Sequence, residues 1–266
     1  DAITTVSPTY AQEILTSEYG DGLDGTLRAH QSKLVGILNG VDYDQWSPEK
    51  DALIPLNYGL DTLHQKNHNK LALLKENALS EDIQQPVFGV ISRLTEQKGL
   101  DLVLEVMPEL IEKGARLVVL GSGDKHLEAG YLALQERYPT QVSVRIGYFE
   151  YYSHRIQAGI DALIIPSRFE PCGLTQLYAL KYGTLPVVRQ TGGLADTVFE
   201  GGDRANGFVF KEANSNDLSA ALLRCMTCFY DTQSWQAKQI NAMQYDYSWE
   251  AVTGQWVDLY QSLLNR

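Results

Sequence analysis

Four short segments carry residues whose types and spacing could do chemistry. The first is Ser92-Arg93-Leu94-Thr95-Glu96-Gln97-Lys98-Gly99. A planar guanidinium fork and an ammonium five residues apart, on one loop after an apolar run, suit the oxygens of one phosphate-like anion. Two solvated loop cations fit the same pattern. The second is Pro166-Ser167-Arg168-Phe169-Glu170-Pro171-Cys172-Gly173-Leu174-Thr175. It places Glu170 between an apolar run and a helix expected to start near Gly173. Free N–H groups at a helix start favour an anion, and a carboxylate beside them could position sugar hydroxyls. The plainer reading makes Glu170 a substitute N-cap. The third and fourth are Gly121-Ser122-Gly123-Asp124 and Thr191-Gly192-Gly193-Leu194-Ala195-Asp196. Glycine turns of this kind let backbone approach a ligand or another segment closely. The first of them lacks the last glycine of a dinucleotide fingerprint, because residue 126 is His, and reads more simply as a tight turn.

Other candidates carry less. Cys225 and Cys228 have C-x-x-C spacing but fall inside a helical stripe with Leu218, Leu222 and Phe229, and no second cysteine pair completes a zinc site. They read as buried thiols. His64 and His68 are four apart, but Gln65 stands where a zinc hydrolase motif needs Glu, so a surface pair is expected. No metal site is predicted.

The elements that must position these loops follow from hydrophobic periodicity. Apolar, β-branched runs at 87–92, 116–120, 142–146, 162–166, 185–189 and 207–210 alternate with amphipathic segments. Several are nearly continuous, as strands covered on both faces are. The segment 100–113 sets Leu100, Val103, Leu104, Met107, Leu110 and Ile111 on one stripe, interrupted by Pro108, which is expected to kink it. Alternating strands and helices predict a doubly wound parallel α/β sheet, whose ligands bind beyond the carboxyl ends of the strands. At the start, a helix is predicted over 8–19, a loop over 20–25 and a strand over 33–38. Residues 41–57 read as a connector. Trp249–Leu264 is an amphipathic helix capped by Ser248.

The 266 residues include 22 Lys+Arg and 33 Asp+Glu, a net charge of −11. That balance argues against duplex nucleic acid or an anionic membrane surface as partner. No apolar run reaches the roughly 20 residues a bilayer span requires. The first ten residues lack the basic start and apolar core of a secretory signal. Three cysteines exclude a disulfide scaffold, so a reducing, cytoplasmic location is expected.

Together the segments resemble the C-terminal portion of bacterial glycogen synthase and plant starch synthase. The resemblance runs from Thr4-Thr5-Val6-Ser7-Pro8 through Ile37-Leu38-Asn39-Gly40-Val41-Asp42, Gln97-Lys98-Gly99-Leu100-Asp101 and Gly147-Tyr148. It is most specific over 167–178, which contains Glu170-Pro171-Cys172-Gly173-Leu174-Thr175-Gln176. It implies a retaining GT-B glycosyltransferase with Rossmann-like domains, which moves glucose from ADP-glucose to the non-reducing 4-OH end of an α-1,4-glucan (glycogen) without cofactor or metal. The resemblance further implies catalytic roles for Arg93, Lys98 and Glu170. Arg93 and Lys98 would hold the departing diphosphate, and Glu170 would contact the transferred glucose. Cys172, Gly173, Leu174 and Thr175 would lie near the sugar and distal phosphate. Tyr148 would stack on adenine, and Asn39 would face the cleft from the hinge. Related transferases carry Glu-x7-Glu; here the second position is Tyr178. The chain begins at Asp1 and is read as part of a longer protein. Residues 1–40 would be the last elements of an N-terminal acceptor domain plus the hinge. Residues 41–246 would form the nucleotide-sugar-binding domain, and 247–266 a helix crossing back toward the N-terminal domain. Such a part alone is expected to be poorly active. Two alternatives remain open: a non-catalytic nucleotide-binding module, and a GT-B transferase using UDP-glucose.

Overall fold

The six apolar runs are strands of one sheet, because each buries side chains on both of its faces. The computed structural model describes residues 1–265. In chain order the elements are β1 (Ile3–Thr5), α1 (Pro8–Glu13), α2 (Asp24–Ala29), β2 (Leu34–Gly36), α3 (Lys66–Glu76), β3 (Val87–Ile91), α4 (Leu100–Glu112), β4 (Arg116–Gly121), α5 (Lys125–Arg137), β5 (Val142–Ile146), α6 (Glu150–Gly159), β6 (Ala162–Ile165), α7 (Thr175–Lys181), β7 (Leu185–Arg189), α8 (Gly192–Thr197), β8 (Phe208–Phe210), α9 (Ser215–Tyr230), α10 (Thr232–Gln244) and α11 (Trp249–Leu264). The sheet order is β5-β4-β3-β6-β7-β8, and every pairing is parallel. Alternate residues feed two cores. Phe88, Val90, Leu117, Val119, Ile164 and Val187 face α4, α5 and α9. Val87, Val118, Leu120, Leu163 and Val188 face α3 and α6. This period-two division is what β-branched strands between two helical layers require.

Chain order reverses between β3 and β6. From β3 the chain winds outward to β5, returns to β6 beside β3, and winds outward again to β8. At such a switch point the loops after the two neighbouring strands diverge and leave a crevice. Here those are the loop carrying Arg93 and Lys98 and the loop carrying Glu170. The fold therefore brings together residues more than 70 positions apart.

At the opposite, amino edge of the sheet a buried ion pair joins the same two strands. Asp161 Oδ2 lies 2.7 Å from Lys70 Nζ and accepts the Val87 N–H at 2.7 Å. Lys70 also donates to the carbonyls of Ile83 and Gln85 at 2.7 and 2.8 Å. Nearby, Lys66 is wholly buried and donates to the carbonyls of Gln157 and Ala158 and to Thr184 Oγ1.

Several sequence expectations need correction. The helix predicted over 8–19 ends at Glu13. Thr16 Oγ1 donates to the Glu13 carbonyl at 2.7 Å, so a side chain occupies an acceptor near the helix end and favours a turn. The loop expected over 20–25 gives way to α2 at Asp24, and the strand expected over 33–38 is paired only from Leu34 to Gly36. Pro108 lies inside α4, which stays helical from Leu100 to Glu112 with Met107, Leu110 and Ile111 buried against the sheet. Residues 41–57 contain no helix or strand but are more than a connector. Val41, Trp46, Ile54 and Tyr58 form a third core with Leu177, Tyr182 and Met243.

Ser248 Oγ accepts the Ala251 N–H at 3.2 Å and caps α11. That helix buries only Val252, while Trp249, Val257, Tyr260 and Leu264 are exposed. Cys225 is buried in α9 and Cys228 half-buried. His64 and His68 are both exposed. Among the described residues no cluster suits a metal ion, and no helix is long and apolar enough to cross a membrane.

Segment 1–36 is fastened to the sheet domain through α8. Asp196 accepts from Ser7 Oγ and Thr9 Oγ1, each at 2.5 Å, and from the Thr9 N–H at 3.1 Å. Glu13 Oε1 accepts from Thr191 Oγ1 at 2.9 Å and the Gly192 N–H at 3.0 Å.

Candidate active site

Two adjoining cavities open at the switch point. The first, of about 230 Å³, is lined by Ser92, Arg93, Lys98, Ser167, Glu170, Gly173, Leu174 and Thr175 with apolar residues at its base. The second, of about 220 Å³, is lined by Trp46, Ile91, Tyr148, Glu150, Ser153, Gln157, Thr175 and Tyr178. Ile91 and Thr175 belong to both, so the two cavities form one trough with a waist.

Lys98 and Glu170 form the centre of the first cavity. Lys98 Nζ lies 2.5 Å from Glu170 Oε2, and Ser167 Oγ donates to the same oxygen at 2.9 Å. Glu170 is not an N-cap of α7, which begins at Thr175, two residues beyond the expected start, and whose cap residue is Leu174. The carboxylate is drawn instead to the ammonium, a charge-assisted bond stronger than a neutral cap bond. Arg93 does not join that pair. It is exposed, and its Nη2 donates to Gln97 Oε1 at 3.1 Å. It stands at the rim with most of its guanidinium donors free for a ligand.

The two loops are locked to each other from behind. Arg168 makes a two-pronged ion pair with Asp101, both contacts at 2.7 Å, and also donates to the Glu96 carbonyl. Those hydrogen bonds hold the Asp101 carboxyl below its ordinary pKa despite partial burial. The Arg168 N–H donates to the Gln97 carbonyl at 2.9 Å, and Arg189 donates to the Arg168 carbonyl. Gly99 has φ +66°, and a Cβ there would overlap the Pro166 carbonyl; only glycine lets the cation loop close on the carboxylate loop.

The remaining predicted residues are distributed unequally. Gly173, Leu174 and Thr175 line the first cavity, and Tyr148 lines the second, 66% exposed. Cys172 lines neither cavity and is 5% exposed. Burial pushes this thiol above its ordinary pKa, so it is no nucleophile. Asn39 lines neither cavity. The glycine turns let segments of the protein approach each other closely. Gly123 bridges Leu94, whose N–H and carbonyl bond to Ser122 and Asp124. Gly192, at φ +42°, lies so close under the Glu170 carbonyl that a Cβ would overlap it.

Sequence reasoning missed the second cavity's rear wall. Trp46 is stacked between His154 (centroids 3.7 Å apart, 16° between planes) and Tyr178 (4.0 Å, 5°). His154 Nδ1 contacts Asp51 Oδ2 at 2.8 Å, and Tyr182 Oη donates to the same oxygen at 2.6 Å. These partners are 103 and 131 residues apart, so no local pattern announces them. The W-S-P signature at 46–48 was the one available signal.

Burial opposes ionisation of Asp51, but the hydrogen bonds from His154 and Tyr182 outweigh it and hold its pKa below the usual range. A carboxylate with a depressed folded pKa stabilises fully above its unfolded pKa, near 4, and that contribution fades as pH falls through the folded value. Asp51→Asn is therefore expected to flatten the decline of Tm below about pH 4. A mutant whose acid limb matches wild type would remove Asp51 from that role.

A trough at the switch point of a parallel sheet, with a cation–carboxylate pair at one end and aromatic rings at the other, suits a small molecule that carries both an anionic group and a flat ring. The chain belongs to the glycosyl transferases group 1, whose family model matches residues 74–239. The starch synthase catalytic domain model matches residues 1–29. In sequence the chain is 78% identical over 265 residues to the glycogen synthase of Marinomonas sp. (strain MWYL1), covering 100% of this chain and 56% of that protein. It is 49% identical over 271 residues to the glycogen synthase of Yersinia pseudotuberculosis serotype O:1b (strain IP 31758), covering 99% and 57%. The chain thus spans a little over half the length of these curated relatives. Among solved structures it superposes on the catalytic domain of starch synthase IV from Arabidopsis thaliana bound to ADP and acarbose. There the TM-score is 0.94 at 38% identity, covering 100% of this chain and 56% of that one. Sucrose-phosphate synthase from Thermosynechococcus elongatus, at TM-score 0.67 and 18% identity over 100% of this chain and 59% of that one, shares the fold alone. The α/β, GT-B class implied by the sequence resemblance agrees with these findings.

Proposed function

We propose that this chain is the donor-binding part of a retaining glucosyltransferase that extends an α-1,4-glucan from ADP-glucose. The observation that carries the reading is the Lys98–Glu170 pair at 2.5 Å, set in a cavity with Arg93 at its rim. Similarity to glycogen synthases and to an ADP-bound starch synthase supplies the substrate class. Residues 1–40 are read as the end of the acceptor domain with its hinge, 41–246 as the donor domain and 247–266 as a helix returning toward the acceptor domain. The match of residues 1–29 to a separate family model supports that division.

In this reading the diphosphate enters the first cavity and the nucleoside the second, with Tyr148 against the adenine. Lys98 exchanges its contact with Glu170 for a phosphate oxygen, and Arg93 closes from the rim. Glu170 is then released to accept hydrogen bonds from glucose hydroxyls. The acceptor 4-OH oxygen bonds to the anomeric carbon as the bond from that carbon to the phosphate oxygen breaks. The hydroxyl proton passes to the departing oxygen on the same face, so configuration is retained. Lys98 and Arg93 stabilise the charge that develops on the diphosphate, which is electrostatic catalysis.

Calorimetric titration of the chain with ADP-glucose and UDP-glucose tests the reading. Saturable binding that favours ADP-glucose is expected. A preference for UDP-glucose would overturn the donor assignment, and binding of neither would overturn the donor site in this chain.

A further inference from the structure

The connector supplies one wall of the trough, although residues 30–73 fall outside both matched family regions. Trp46 reaches the second cavity from a turn in which its own N–H donates to the Asp42 carbonyl at 2.9 Å. Its two faces are occupied by Tyr178 and His154, and only 9% of the residue is exposed. A bound ring therefore cannot stack on Trp46; it meets the indole edge and the ring of Tyr178.

The stack is anchored at depth. Asp51 holds His154 and Tyr182 by one carboxylate oxygen, and its other oxygen accepts the Leu53 N–H at 2.8 Å. Tyr58 Oη donates to the Tyr182 carbonyl at 2.7 Å. Residues 46–58 are thereby tied to α6, which carries His154, and to α7, which carries Tyr178 and leads to Tyr182. Tyr178 itself stands where related transferases place a second carboxylate, and none of the hydrogen bonds among the described residues involves its hydroxyl. Its ring is held by the parallel contact with Trp46, a geometry in which aromatic pairs add attraction beyond their area.

We propose that Trp46 is a positioning residue for the nucleoside end of the donor. Clamped by His154, it fixes the Tyr178 ring at the distance a flat base needs, and so sets affinity for the nucleoside without touching the diphosphate. The inference rests on the donor-site reading above and deepens it.

The test compares ADP with inorganic pyrophosphate as ligands of the full 266-residue chain. Wild type is expected to bind ADP more tightly than pyrophosphate. Trp46→Leu removes the stack and is expected to weaken ADP about tenfold, while pyrophosphate stays within about twofold because its site is separate. Trp46→Phe keeps an aromatic plane and should recover most of the ADP affinity. It should also abolish the ADP-dependent change in tryptophan fluorescence that Trp46 gives the wild type. Equal loss of both ligands, or no loss of ADP, would overturn the proposal while leaving the donor reading intact. Should Trp46→Leu fail to fold, Tyr178→Leu carries the same comparison, and the same ADP-selective loss is required of it. Wild type that binds pyrophosphate and ADP equally would overturn the nucleoside assignment itself.

Discussion

Lys98→Ala is expected to weaken ADP binding by roughly 10- to 100-fold, the equivalent of about 1.5–3 kcal/mol for a lost hydrogen bond to a charged group. In the proposed donor-site reading, loss of such an electrostatic contact in the transition state is expected to slow glucose transfer by the complete enzyme about 10²–10³-fold. The larger kinetic effect follows from where charge appears. The diphosphate gains negative charge as the glycosidic bond breaks, so an ammonium beside it counts for more in the transition state than in the bound donor. Lys98 is engaged with Glu170 at 2.5 Å. Binding therefore exchanges one ion pair for another, which keeps the binding loss moderate. Arg93→Ala should cost less, since Arg93 is exposed and spends one contact on Gln97. A double-mutant cycle between Lys98→Ala and Glu170→Gln would show non-additivity, because the two side chains touch. An ADP affinity for Lys98→Ala indistinguishable from wild type would return Lys98 to the status of a loop cation.

The second large effect concerns the far edge of the sheet. Asp161→Ala is expected to destabilise the fold by about 3–5 kcal/mol, because it strands a buried ammonium. Lys70 is 2% exposed and would keep the carbonyls of Ile83 and Gln85 and the face of the Phe229 ring, 4.7 Å away, but no counter-charge. The Val87 N–H would lose its acceptor as well. For a domain of this size that corresponds to a Tm lower by roughly 10 °C. Lys70→Met combined with Asp161→Asn should recover most of the loss, since an apolar side chain needs no partner and the amide oxygen can still accept from Val87. Scanning calorimetry decides: a single mutant within about 1 °C of wild type would mean that water reaches Lys70 and screens its charge.

The two halves of the protein's logic were unequally legible in its sequence. Strand positions could be read because a strand covered on both faces must be nearly all apolar, and runs such as 116–120 have few other uses. Arg93, Lys98 and Glu170 could be read because each follows such a run closely. Their pairing could not, since it depends on β3 and β6 becoming neighbours across a reversal of winding. The overlong helix at 8–19 shows a local competition that periodicity does not register: Thr16 caps what the apolar spacing would have continued. Trp46, Asp51, His154 and Tyr182 show the opposite limit. Each looks ordinary alone, and their meaning arises only from contacts spanning more than a hundred residues.

One small contact has a mechanical consequence. Glu13 grips the first N–H of α8, and the same glycine is wedged beneath the Glu170 carbonyl. The segment that precedes the six-stranded sheet and the loop carrying Glu170 thus share a fulcrum at Gly192. A pull on α1 would reach the Glu170 loop through Gly192 without passing through a strand of the six-stranded sheet. Whatever displaces residues 1–36 would shift the Glu170 loop, as a lever arm does, without a hinge inside the sheet domain.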